Sequence, residues 1–171
     1  EMIISITYGQ AMKKVLALLD ENKPDAATKE KIRGYLSDGQ REVALAYPIW
    51  KSATYAASDI KTLPTDCYKP AWIMVDGQRF AYHPDEALPA AFTLEYEAYP
   101  TDVPDNAVDE FVFDTSEEAM PAVIYFAAAM VNSMEDDRQP FNTFFALYQG
   151  KLRNLTPKKP IGTVVVKCTS L

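Results

Sequence analysis

The feature that most constrains this chain is a helical spacing of apolar residues that occurs twice, on either side of a proline-rich segment. Apolar residues recur at intervals of three and four over 8–47 and again over 116–153, as on the buried face of an amphipathic helix. Between these regions, 49–104 contains short alternating runs, and half of the twelve prolines fall at 64–104. We therefore predict an α+β fold that is mainly α: a bundle of about four helices with an antiparallel β insert of three or four strands.

Local signals mark where several of these elements begin, pack and turn. Asp25 is a good N-cap for the second helix, because its side chain can accept a hydrogen bond from a free backbone N–H. Gly34 and Gly39 weaken that helix, so they predict close packing against a neighbour. Asp76-Gly77 between two apolar runs predicts a two-residue hairpin turn. The alternation over 91–99 predicts a half-buried strand.

Length and composition fit one globular domain. A chain of 171 residues buries roughly 70% of its unfolded surface and needs no disulfide to do so. We predict a single domain over 1–156 and a C-terminal tail over 157–171. Prolines in the tail precede the strand-forming run Val164-Val165-Val166. The tail therefore predicts a strand that pairs either with a neighbouring chain or with the β insert of its own chain.

The net charge of −7 is unevenly distributed. Residues 1–60 are balanced, 61–137 contain sixteen acidic residues against three basic ones, and 138–171 contain six basic residues and no acidic one. This distribution excludes a basic nucleic-acid-binding patch as the main theme of the fold. It predicts either electrostatic complementarity, between copies or with another partner, or simply a solvated acidic surface. No apolar run approaches the roughly 20 residues of a membrane span, so we expect no membrane partner.

Residues that carry chemistry are few and scattered. Cys67, Cys168 and His83 lack the paired spacing of a zinc site, and phosphate-binding loops and nucleophile elbows are absent from the sequence. Both cysteines are interpreted as reduced thiols, and His83 as an exposed loop residue. We therefore predict no catalytic residue, no cofactor and no metal, and that the chain is not an enzyme.

Two groups of carboxylates allow a functional interpretation, although exposed surface fits each better. Glu95 and Glu97 share one face of a predicted strand and could form an acid–base pair, but alternating residues of this kind usually face solvent. Glu135-Asp136-Asp137 could bind a hard cation, yet it lacks the spaced ligands and the glycine of a calcium loop. We predict that these three residues form a charged turn between helices.

Large aromatic residues can belong either to the core or to an interface with a partner. Trp72 is predicted to lie in the core, while Trp50 is left open between the core and a surface anchor. A cluster at helical spacing is predicted to be core rather than a cofactor site. Its members are Phe141, Phe144, Phe145 and Tyr148.

Three segments carry a family resemblance through their order along the chain: YLSDGQREVALAYP at 35–48, LPTDCYKPAWIMVDGQRF at 63–80, and EEAMPAVIYFAAAMVNSMEDD at 117–137. Together they resemble the head–tail connector (adaptor, or head-completion) proteins of tailed phages and prophages. The second segment is similar to that family's Leu-Pro-x-Asp entry into a hairpin, with Cys67-Tyr68 where an aromatic residue usually follows the Asp directly. The resemblance covers roughly 8–153.

The resemblance implies a structural virion subunit that forms a ring below the portal, extends the DNA channel and docks tail components. Its implied partners are other copies of itself, the portal protein and a tail-completion protein, with DNA only as passing cargo. It implies location in the virion, and in the bacterial cytoplasm during assembly, and it implies no catalytic residue. An acidic segment would suit a channel wall, because like charge keeps DNA from adhering. Two alternatives stay open: a helical binding or regulatory module with a small-ligand or protein partner, and an enzyme built on two buried carboxylates with displaced pKa values.

Overall fold

The structure is a computed structural model that describes residues 5–56 and 62–156. It contains four helices, α1 (Tyr8–Leu18), α2 (Ala26–Ala46), α3 (Met120–Val131) and α4 (Gln139–Asn154), and four strands, β1 (Ile49–Tyr55), β2 (Cys67–Val75), β3 (Gln78–Ala81) and β4 (Phe92–Ala98). The predicted α+β fold is confirmed. The predicted tail at 157–171, which includes Cys168, lies outside the described residues.

The chain divides into two compact units. The helical unit consists, among the described residues, of 5–47 and 100–156 and contains all four helices. The sheet unit consists of the described residues of Pro48–Tyr99 and contains all four strands. The single domain that the sequence predicts over 1–156 stays a prediction.

Helix α3 is the centre of the helical unit. Its sequence, MPAVIYFAAAMV, contains no charged residue, and α1, α2 and α4 all pack against it. Met120, Val123 and Ala127 are fully buried, as are Leu36 of α2 and Val15 of α1. A helix that is apolar on every side needs cover on every side, so the other three helices surround it.

The two glycines of α2 differ in their surroundings. A Cβ atom added at Gly39 would lie 3.0 Å from Phe126 Cδ1 and 3.3 Å from the carbonyl oxygen of Val123. The predicted close packing is therefore confirmed at Gly39, where α2 approaches α3. It is wrong at Gly34, where an added Cβ would meet nothing within 4 Å.

Helix starts follow the local signals in one case and depart from them in another. Asp25 is the N-cap of α2 and accepts a hydrogen bond from the Thr28 N–H at 2.7 Å, as predicted. Helix α3, predicted from 116, begins only at Met120 and has no side-chain cap. The Ser116 carbonyl instead accepts the N–H groups of Ala119 and Met120 in a turn, both at 3.0 Å.

Residues 100–119 form an irregular segment of the helical unit, whereas the predicted β insert, 49–104, includes the first five of them. Val103 and Phe113 of this segment are buried among the helices. The N–H groups of Tyr8 and Gly9, at the start of α1, donate to the carbonyls of Phe111 and Asp109 at 2.7 and 3.0 Å. These contacts make the segment part of the helical unit.

The four strands form one antiparallel sheet in the order β1-β4-β2-β3, so β4, the last strand among the described residues, lies inside the sheet. The predicted hairpin is confirmed: Val75 pairs with Gln78 across Asp76 and Gly77, whose φ angles are +50° and +75°. One surface of the sheet, here called its apolar face, carries the alternating side chains predicted to be buried: Phe92, Leu94, Tyr96 and Ala98. The opposite surface is here called the polar face.

Candidate functional site

Of the described residues considered for chemistry, His83 and Cys67 belong to the sheet unit. His83 is exposed in the loop after β3. Cys67 is half-buried at the start of β2, where burial, and next the charge of Asp66, raise the pKa of its thiol and so disfavour the reactive thiolate. Within 5–56 and 62–156, no group of three or more His, Cys, Asp or Glu residues is arranged to hold a metal ion.

Glu95 does not face solvent, which corrects the interpretation from sequence. It lies on the polar face, where Arg79 Nη2 lies 2.9 Å from Glu95 Oε1 and 2.7 Å from Oε2. The side chains are only 8% exposed for Arg79 and 19% exposed for Glu95. The guanidinium of β3 reaches across β2 to β4, a contact that depends on the strand order. Glu97 lies on the same face and is half-buried.

Both tryptophans lie on the polar face and are half-buried. Trp50 is opposite Glu97 in the register of β1 and β4, and Trp72 is opposite Glu95 in the register of β2 and β4. Trp72 therefore does not belong to the sheet core, contrary to the prediction. Its neighbour Ile73 points to the apolar face and takes that place, because successive side chains of a strand alternate between faces.

The carboxylates of Glu135-Asp136-Asp137 form an exposed turn between α3 and α4, as predicted. Asp137 Oδ1 accepts the N–H of Gln139 at 2.9 Å at the start of α4. This arrangement tethers the chain where the helix begins.

The prediction that the aromatic cluster of α4 is core is confirmed for three of its four members. Phe141 is half-buried and stacks on Phe145 with the ring centroids 5.4 Å apart. Phe144, Phe145 and Tyr148 pack against the apolar centre of the helical unit. The rings of Phe126 and Tyr148 meet edge to face at 5.4 Å, and burial raises the pKa of the Tyr148 hydroxyl. The cluster binds α4 to α3.

A groove of about 620 Å³ opens between α2 and the start of the 100–119 segment. Two ion pairs cross it. Arg41 Nε and Nη2 donate to the two carboxylate oxygens of Asp102 at 2.9 and 2.6 Å, and Arg33 Nη2 lies 2.9 Å from Asp105 Oδ1. The lining residues are Arg33, Gly34, Ser37, Asp38, Arg41, Asp102, Val103, Pro104 and Asp105.

Beneath this groove, a polar network attaches the segment to α2. Gln40 is fully buried; its Nε2 donates to the carbonyl of Thr101 at 3.1 Å, and its Oε1 lies 3.4 Å from the Thr115 hydroxyl. The Ser37 hydroxyl accepts the Val103 N–H at 3.0 Å. Buried polar groups require such partners, so this network explains why 100–119 follows α2. The arginine–aspartate pairs of the groove therefore help to hold the 100–119 segment against α2.

A second polar cluster lies in the sheet unit, around Asp66. Lys51 Nζ and the Tyr96 hydroxyl each approach one Asp66 carboxylate oxygen at 3.0 Å. Burial alone would raise the pKa of Asp66, but the hydrogen bonds from Lys51 and Tyr96 outweigh burial and lower it. Burial, and next the hydrogen bond to Asp66, raise the pKa of Tyr96 to about 12. The cluster ties the loop before β2 to the sheet.

Sequence reasoning did not find either polar cluster. The groove pairs join residues at least 61 positions apart, and Asp66 meets Tyr96 across 30. No local spacing signals such contacts. The only trace in the sequence is charge: seven acidic residues and no basic one fall between 100 and 118.

No protein-family model matches this chain, and no curated protein matches it significantly. Among residues 5–56 and 62–156, none of the helices has the length and apolar character that crossing a membrane requires.

Proposed function

We propose that this chain is a structural subunit of the head-to-tail connector of a tailed phage or prophage. In this proposal, copies assemble as a ring below the portal, extend the DNA channel and dock the tail-completion protein. The chain then works without a cofactor, acts in the virion, and is assembled in the bacterial cytoplasm.

The observation that supports the proposal most is the order of elements. Two helices precede an antiparallel four-stranded insert and two helices follow it, which is the layout that the resemblance implies. The three similar segments fall on α2 and its exit, on the β2–β3 hairpin, and on α3 with the turn after it.

Charge placement supports the channel role. Glu117 and Glu118 are exposed, and no basic residue falls within 100–118. A wall that carries such groups repels the DNA backbone and lets it pass.

Neither alternative receives comparable support. The groove beside α2 is lined chiefly by charged and polar residues, whereas small-ligand sites are mostly apolar. Of the two carboxylates considered for an acid–base pair, Glu95 is already paired with Arg79.

The test is assembly on the portal. The full chain is co-produced with the portal protein encoded in the same phage or prophage, the portal is purified through a tag, and the complexes are imaged by electron microscopy. We expect a second ring stacked on the portal. In the control, the major capsid protein carries the tag in place of the portal and should retain none of the chain.

Genetic inactivation provides a second readout. Loss of the chain should yield DNA-filled heads without tails, and adding purified chain to those heads should restore tail joining. A portal that never acquires this chain, together with normal virions after inactivation, would refute the proposed function.

A further inference from the structure

An exposed turn of the 100–119 segment, here called the acidic turn, presents apolar and acidic side chains together. It consists of Val108, Asp109, Glu110 and Val112. Val108 is 63% exposed and Val112 is 50% exposed, while Asp109 and Glu110 are also exposed. Exposed apolar side chains beside charges of one sign are typical of a surface that another protein covers.

The acidic turn is held rigidly. The Phe111 N–H donates to the Val108 carbonyl at 3.0 Å and closes the turn, and two further backbone hydrogen bonds attach it to the start of α1. Gly9 permits this close approach, since an added Cβ there would lie 2.8 Å from Asp109 Cβ. A surface fixed in this way loses little conformational entropy when it binds.

A complementary surface lies on α4 and is here called the α4 outer face. Leu147 is 43% exposed, and Lys151 follows it by one helical turn on the same side. Gly150 lies beside Leu147, and an added Cβ there would meet nothing within 4 Å. A helical glycine costs roughly 1 kcal/mol relative to alanine, and no contact within the described chain explains this one.

The acidic turn and the α4 outer face are complementary in charge, and both have exposed apolar side chains, but they are different parts of the chain. One has exposed valines and carboxylates, and the other has an exposed leucine, a notch and a lysine. Among residues 5–56 and 62–156, no ion pair involves Glu110 or Lys151. Contact between unlike surfaces of identical subunits is heterologous, and such contacts generate rings when the rotation closes.

We propose that neighbouring copies of this chain join through the acidic turn of one copy and the α4 outer face of the next. The proposal rests on the proposed function, since it names the contact from which the connector ring is built. The occupant is a second copy because the complementary charge and apolar groups are both present on this chain.

Charge reversal tests the contact on the full chain. Glu110→Lys and Lys151→Glu each place like charges together, so each should weaken ring formation more than about tenfold. The chain that carries both changes restores opposite charges at every contact and should assemble again. Lys13→Glu on α1 and Glu135→Lys in the α3–α4 turn are matched controls at exposed positions and should assemble normally.

Assembly is measured by electron microscopy on the portal and by sedimentation of the purified chain, after circular dichroism shows that each variant is folded. Copies with Val108→Cys are mixed with copies with Leu147→Cys and oxidised, and mass spectrometry identifies the joined peptides. We expect a disulfide between positions 108 and 147 of different copies.

The outcomes separate the two proposals. Normal rings from both single variants, failure of the double variant to recover, or absence of the 108–147 disulfide in intact rings would overturn this contact and leave the connector function standing. Failure of the double variant combined with weakened portal binding would assign these surfaces to the portal instead, against the proposal. A wild-type chain that forms no ring, alone or on the portal, would refute the connector function and this contact with it.

Discussion

The helical unit and the sheet unit are stabilised in different ways. In the helical unit, eighteen buried apolar side chains among the described residues form one cluster around α3, and its ion pairs lie at the groove on the surface. In the sheet unit, five buried apolar side chains cover one face. The Arg79–Glu95 pair lies on the other face, and the Asp66 cluster binds a loop.

This difference indicates which substitutions should destabilise each unit. In a thick apolar core, stability depends on how well the side chains fill the interior. When a buried side chain is truncated, the surrounding residues relax only partly into the cavity. A one-sided core shifts more of the stability to hydrogen bonds and ion pairs, which respond to single charge changes and to pH. The chain also offers separate probes, since both tryptophans are in the sheet unit and all described helices are in the helical unit.

The largest expected effect comes from deleting equivalent leucines in the two cores. Leu36 and Leu94 are at most 1% exposed. We expect Leu36→Ala to lower the free energy of unfolding by about 4 kcal/mol and Leu94→Ala by about 2 to 3 kcal/mol, because the thinner core can collapse into the cavity. Denaturant unfolding, followed by far-ultraviolet circular dichroism for the helices and tryptophan fluorescence for the sheet, measures both. Equal losses would remove the distinction between the cores.

A smaller effect is expected from the ion pair of the polar face. Glu95→Gln removes a charge-assisted hydrogen bond from a nearly buried guanidinium, and we expect a loss of about 2 kcal/mol. Glu97→Gln on the same strand is the control and should change the free energy by less than about 0.5 kcal/mol. Tryptophan fluorescence during urea unfolding follows the two variants. A loss at Glu97 as large as that at Glu95 would mean that the pair has no special role.

The two glycines of α2 should respond in opposite directions to the same substitution. Gly39→Ala forces a methyl group against Phe126 and the backbone of Val123, and we expect a loss of about 1 to 2 kcal/mol. Gly34→Ala meets no neighbour and should raise the free energy of unfolding by about 1 kcal/mol through helix propensity. Circular dichroism during thermal unfolding measures the pair. Stabilisation by both substitutions would show that α2 and α3 are not tightly packed.

The smallest effect concerns pH and the Asp66 cluster. Because the pKa of folded Asp66 is lowered, its contribution is present above the unfolded value of about 3.9 and is lost as pH falls through the folded value. The pKa of Tyr96 is raised to about 12. Its contribution is therefore present below the unfolded value of about 10 and is lost as pH rises towards the folded one.

Asp66→Asn tests this cluster directly. The variant should be less stable than wild type near neutral pH, and the gap should narrow as pH falls below about 4. Ultraviolet titration should show a lower pKa for Tyr96 in the variant, and Tyr96→Phe identifies that transition. A gap that is unchanged across this pH range would show that Asp66 makes no net contribution through its charge.

Several features of the fold could be predicted because neighbouring residues alone determine them. The N-cap at Asp25, the Asp76-Gly77 turn and the buried alternation of Phe92, Leu94 and Tyr96 all follow from short-range backbone chemistry or side-chain period. The helical regions follow from the spacing of apolar residues in the same way.

The features that were missed depend on contacts between distant parts of the chain. Trp72 lies on the polar face because the pairing register of β2 with β4 decides which of its alternating side chains face the apolar core. The late start of α3 follows a turn in a segment that α2 holds through Gln40.

The sequence by itself determined the kinds of element, their order, and an uneven distribution of charge, since each of these is a property of local composition and period. Only the tertiary structure decided which charges are neutralised and which stay available for a partner. Glu95 is paired because the strand order brings Arg79 near it, and Asp102 because the 100–119 segment lies along α2. Glu110 is exposed because the acidic turn is fixed at the surface beside α1. Three carboxylates that look equivalent in the sequence therefore differ in the fold, because burial and pairing depend on how distant segments pack.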